Sequence, residues 1–136
     1  MRPLLLAALV ACAPPVAYRA DVSFTDDEHA QIWRAASEWN RHTKPEKRIT
    51  LGNEWRVLKA EPPGGFGYNG LCRRSVKTIW IRPQPFGATT YEVAVHEWGH
   101  ALGLGHTTTG VMMPNTVSTE FTPEVMAECK RVGACP

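Results

Sequence analysis

The chain has 136 residues, of which 43% are hydrophobic and 21% charged, and a formal net charge of +2. That length holds one domain with a small core. So even a charge balance gives no electrostatic reason to expect nucleic acid or an acidic membrane surface as a partner. The basic clusters Lys44, Lys47, Arg48 and Arg73, Arg74, Lys77 read as solvated faces.

Met1-Arg2 is a short positive start, and residues 3–11 are an apolar run too short for a stable bilayer span. Residues 1–11 therefore read as an export signal, and residues 12–136 as a single domain. Leu9-Val10-Ala11-Cys12 resembles the lipobox of bacterial lipoproteins, in which the cysteine is lipidated. The alternative is ordinary cleavage after Ala13, which would leave Pro14 just after the cut. Either way the protein is expected outside the cytoplasm, as a membrane-anchored lipoprotein or as a secreted or periplasmic protein. Any membrane attachment would run through a lipid on Cys12. If Cys12 is so used, Cys72, Cys129 and Cys135 remain. Cys129 and Cys135 could close a small C-terminal loop, and Cys72 with either of them is the competing pairing.

Residues 16–24 can hold a first strand. Thr25-Asp26-Asp27-Glu28 then reads as a helix start, with Thr25 as cap and Glu28 completing a capping box. The helix is expected to run to about Asn40 or His42, with Ile32, Trp33, Ala36 and Trp39 as one apolar stripe. His29 and His42, at its two ends, read as surface residues. Residues 48–51 and 55–59 are β-favouring runs separated by Gly52-Asn53, and read as strands around a turn. Residues 61–70, rich in Pro and Gly, form a loop. Residues 76–82 alternate as a strand, with Ile79 and Ile81 on one face, ended by Pro83 and Pro85. A second helix starts near Thr89 or Thr90 and runs through Leu102.

That helix carries His96-Glu97-Trp98-Gly99-His100, followed by Ala101-Leu102-Gly103-Leu104-Gly105-His106. The pattern is H-E-x-x-H-x-x-G-x-x-H. Residues four apart stack on one helical face, so His96 and His100 can offer nitrogens to one metal ion. Gly103 stands where the helix must stop and the chain turn, which brings His106 back as a third ligand. Three nitrogens leave a fourth tetrahedral place for water, as in catalytic zinc sites. Glu97, next to a ligand, is placed to take a proton from that water and return it to a leaving amine. The alternative, an amphipathic helix with satisfied histidines, needs a coincidence of roughly one in a hundred thousand chains of this length.

The segment resembles the zinc-binding consensus of the metzincins, and within them is most similar to the matrixins. Gly110-Val111-Met112-Met113-Pro114 resembles the family's Met-turn, which would put Met112 beneath the metal. Thr107 stands where matrixin-like members have Ser or Thr, and Trp98 where many have an aromatic. Phe121-Thr122-Pro123-Glu124 is similar to the opening of the family's last helix, and Thr122 and Pro123 suit the cap and first helical positions in their own right. The span from His106 to Met112 is shorter than in typical matrixins. The remaining histidines are not grouped, so the second, structural zinc of vertebrate matrixins is not expected.

The resemblance implies an α+β fold: a small twisted mixed sheet backed by the first helix, the motif helix below it, and a short C-terminal subdomain with the Met-turn and a final helix. It implies one catalytic Zn2+, hydrolysis of peptide bonds, and a peptide or protein as partner; a monomer is expected. In this family substrates lie extended along an edge strand, and residues 66–73 are the candidate edge. The competing class is an exported zinc-binding or adhesion-like module without turnover. Small size and the short Met-turn span favour that class, and Glu97 argues against it. A further enzymatic variant would cut cell-wall peptides.

Overall fold

A computed structural model describes residues 16–64, 67–115 and 117–136. The export-signal reading of residues 1–11 and the lipid site at Cys12 lie outside the described residues, as does Phe66 of the candidate edge. Among the described residues, five strands and three α-helices make an α+β fold around a mixed sheet.

Strand β1 (Val16–Ala20) leads into helix α1 (Asp26–Asn40). The expected capping box is present: the Thr25 hydroxyl accepts from the Glu28 N–H at 3.2 Å, and Glu28 Oε2 accepts from the Thr25 N–H at 2.7 Å. The buried face of α1 is Ile32, Ala35, Ala36 and Trp39, whereas Trp33, expected on it, is 44% exposed. One residue is a rotation of about 100° on a helix. Position 33 is thus carried off the face that 32, 35, 36 and 39 share.

Strands β2 (Ile49–Leu51), β3 (Trp55–Lys59), β4 (Gly70–Arg73) and β5 (Thr78–Ile81) complete a sheet of order β2-β1-β3-β5-β4. β4 is antiparallel to β5, and the other neighbours are parallel. β2 and β3 do not pair around a turn. They flank β1 on opposite sides, and the chain joining them crosses β1 at Ala17. A side chain at residue 52 would forbid the crossing, because a Cβ there would stand 2.6 Å from Ala17 Cβ. The crossing is held by the Gly52 N–H on Tyr18 O at 2.8 Å and the Glu54 N–H on Ala17 O at 3.1 Å. β5 starts two residues later than the alternation suggests. Residues 74–76 form a 3-10 turn, and Lys77 adopts φ 46°, a left-handed conformation incompatible with a strand.

Helix α2 (Thr90–Ala101) opens with a second capping box, Thr89 with Glu92, and packs against both α1 and the sheet. Two indoles bind the helices to each other: Trp39 Nε1 donates to Val95 O at 2.7 Å and Trp98 Nε1 to Ile32 O at 3.3 Å. Helix α3 (Pro123–Arg131) is capped by Thr122. Cys129 and Cys135 form a disulfide, which settles the pairing, and Cys72 is a free thiol. The Lys44 N–H donates to Ala134 O at 2.9 Å, joining the C-terminal segment to the end of α1. His29 and His42 are half-buried rather than free on the surface. His42 stacks on Phe121 with ring centroids 4.5 Å apart, and His29 meets the edge of Phe24 at 5.8 Å. Among the described residues no helix is long and apolar enough to cross a membrane.

Candidate metal centre

The three motif histidines converge. His96 and His100 project from one face of α2. The helix ends at Ala101, Gly103 turns the chain with φ 104°, and His106 returns to the same point. His96 Nδ1 lies 2.8 Å from Val111 O, and His100 Nδ1 lies 2.8 Å from Leu104 O. A carbonyl oxygen only accepts, so each Nδ1 carries the proton and each Nε2 presents a lone pair. His100 Nε2 is 3.1 Å from His96 Nε2 and 3.2 Å from His106 Nε2, and all three donor atoms fall within 4.8 Å of one another. Lone pairs aimed at one another across such distances repel unless a cation stands between them. Nitrogens bound tetrahedrally at about 2.0–2.1 Å are separated by about 3.3–3.4 Å, close to the two short spacings. Burial, together with the neighbouring His100, pushes His96 down to about 4, and burial lowers His100 as well. Both rings are held in the neutral form that metal ligation requires.

Glu97 is 5% exposed, and burial pushes its carboxyl up to about 8. Its buried Oε2 has no hydrogen-bond partner among the described residues. A buried unpaired carboxylate oxygen costs free energy, so its retention asks for a reason in function. The edge strand lies directly against it: a Cβ at Gly70 would stand 2.8 Å from Glu97 Oε1 and 2.6 Å from Val93 Cγ1. The three converging imidazoles are a donor set that fits zinc with a fourth position left for water, and Glu97 lines the same cleft.

Met112 is fully buried against α2 and ends a 3-10 turn over Gly110–Met112. Gly99 makes the space, since a Cβ there would stand 2.2 Å from Met112 Sδ and 2.9 Å from Trp39 Cζ2. The short span from His106 is closed by the Thr107 N–H on Met112 O at 3.1 Å. A cleft runs past the histidines. Leu71 and Cys72 of β4 line it, as do Met113, Pro114 and Asn115. Gly70–Arg73, the described part of the candidate edge that forms a strand, is the edge strand along that cleft. Burial, and then the nearby Glu97, push the Cys72 thiol up to about 12, so it stays protonated. Sequence reasoning missed Glu124 and Glu128, whose carboxylates reach the loop carrying His106. Their spacing of four on α3, which puts both on one face, was the available signal.

Comparison with curated proteins finds no match. Among solved structures, the fold is similar to high choriolytic enzyme 1, a hatching-enzyme zinc protease of the medaka fish Oryzias latipes, with a TM-score of 0.45 and 20% sequence identity. The superposition covers 67% of this chain and 44% of that one, so the chain spans less than half of that enzyme's length. The sequence pattern of the matrixin family matches residues 6–127, which includes all three histidines, Glu97 and Met112. By that match over most of its length, the chain belongs to the matrixin family of zinc metallopeptidases.

Proposed function

We propose that this protein is a zinc-dependent endopeptidase in which His96, His100 and His106 hold one zinc ion and Glu97 moves the protons. The observation that carries the reading is the buried Glu97 carboxyl, one oxygen without a partner among the described residues, lining the same cleft as the converging imidazoles. Bound zinc supplies Lewis acidity, polarising a peptide carbonyl and lowering the pKa of a coordinated water towards about 7. With a cation bound at the three histidines, the burial that raises the Glu97 pKa would be offset and the carboxylate would start ionised. Glu97 then takes a proton from the attacking water and later delivers it to the departing amine. The hydrogen bonds from His96 and His100 to Val111 O and Leu104 O keep both rings in the tautomer that leaves Nε2 free. The unpaired side of β4 offers main-chain donors and acceptors to an extended peptide lying in the cleft.

The test is cleavage of a broad peptide library at neutral pH by the purified protein. Cleavage at internal bonds should vanish with a strong chelator and return with added zinc. Cleavage indifferent to chelation would overturn the reading. Tight zinc binding with no cleavage across the library would support the non-catalytic zinc-binding module instead.

A further inference from the structure

The third histidine has the least local support. His96 and His100 stand on a helix, and each is braced at Nδ1 by a carbonyl. His106 is exposed, lies outside regular structure, and has as its one hydrogen-bond-range contact among the described residues the Nε2 of His100. Something else must keep its segment in place.

That role falls to α3. Glu128 Oε1 accepts from the N–H of Gly105, the residue before His106, at 3.2 Å. Glu124 Oε1 accepts from the Thr108 N–H at 2.9 Å, two residues after His106. Glu124 Oε2 also accepts from the hydroxyls of Thr108 at 2.7 Å and Thr109 at 3.0 Å. The backbone is thus gripped on both sides of the ligand by two carboxylates four residues apart on one helical face. Bonds to a carboxylate are about twice as strong as those between neutral groups. The helix they come from is itself fixed. Val125 and Cys129 are fully buried, Cys129 is bonded to Cys135, and Arg131 Nε donates to Glu128 Oε2 at 2.9 Å. Thr107 completes the brace, its hydroxyl donating to Thr109 O at 2.7 Å.

We propose that Glu124 and Glu128 are positioning residues that hold the His106 loop in register with His96 and His100, so that the affinity of the metal site is set in part from α3. The inference rests on the reading that the three histidines bind zinc.

The experiment is a zinc titration against a chromophoric chelator, on the full chain, with unfolding of the metal-free protein measured on the same samples. Glu124→Ala and Glu128→Ala should each weaken zinc binding about 10–100-fold, the usual consequence of losing an outer support of a ligand. Glu124→Gln keeps one acceptor oxygen and should fall between Glu124→Ala and the unsubstituted protein. In a His106→Ala background the same substitutions should change zinc affinity by less than about twofold, because the ligand they position is gone. Equal losses with and without His106 would show a general structural role and overturn the proposal. Affinities within about twofold of the unsubstituted protein would overturn it as well. If the unsubstituted protein binds no zinc, the metal-centre reading fails first, and this one with it.

Discussion

Gly99 lies within the last turn of α2, two residues before its end at Ala101, and inside a helix alanine is ordinarily the better residue by about 1 kcal/mol. Here the local preference and the packing oppose each other. The space a methyl group would need is filled by Met112 Sδ and the Trp39 ring, both in the closed core. Overpacking of this kind costs about 1–3 kcal/mol, more than helix propensity returns. With Sδ 2.2 Å from the added Cβ the cost belongs at the upper end of that range, so Gly99→Ala should lower stability by about 2 kcal/mol net of the propensity gain, read from the denaturant midpoint with unchanged slope. A variant as stable as the unsubstituted protein would show that Met112 is not seated there. The motif fixes histidine, glutamate and Gly103 by chemistry legible in one dimension. The need for glycine at 99 is not legible that way, because it comes from a side chain that arrives 13 residues later.

The helices were readable because their signals are local. Thr25 with Glu28 and Thr122 with Pro123 each mark a start within four residues, the second helix is expected to start near Thr89 or Thr90, and the structure places all three starts there. The sheet was less readable, since strand order is decided by contacts far apart in sequence. Nothing near Gly52 announces that the chain will cross over Ala17 instead of turning back. Trp33 misled for a related reason, its hydrophobicity suggesting burial that its angle on α1 denies. The first helix offers a test of how its cap is joined to the sheet. Burial raises the Glu28 carboxyl, but hydrogen bonds from Lys59 of β3 and from Thr25 outweigh it and hold the group below the ordinary range. A carboxyl with a lowered folded-state pKa stabilises the fold fully above its unfolded value of about 4.3 and loses that contribution as pH falls through the folded value. Glu28→Gln should accordingly melt below the unsubstituted protein at pH 7, and the gap should close as pH falls from about 5 towards 3. A gap that stays constant or widens in acid would show that Glu28 is not held ionised by the fold.

Taken as one molecule, the protein brings four pieces of chain to a single point. α2 supplies two histidines and the acid, the turn after Gly103 supplies the third histidine, β4 lines the cleft, and α3 grips the loop that the Met-turn closes. Much of the small core serves this convergence. Trp39, Trp98, Val95 and Met112 are all buried around the helix that carries the site. On the proposed mechanism the buried acid drives hydrolysis without holding the metal. That is tested most directly by measuring peptide cleavage and zinc content on the same samples of the unsubstituted protein, Glu97→Ala and Glu97→Asp. Both variants should keep their zinc, and Glu97→Ala should lose at least about 10²–10⁴-fold in rate. Glu97→Asp should be nearly as slow, because the shorter arm withdraws the carboxylate from the water. A Glu97→Ala protein that holds zinc and cleaves as fast as the unsubstituted enzyme would contradict that mechanism.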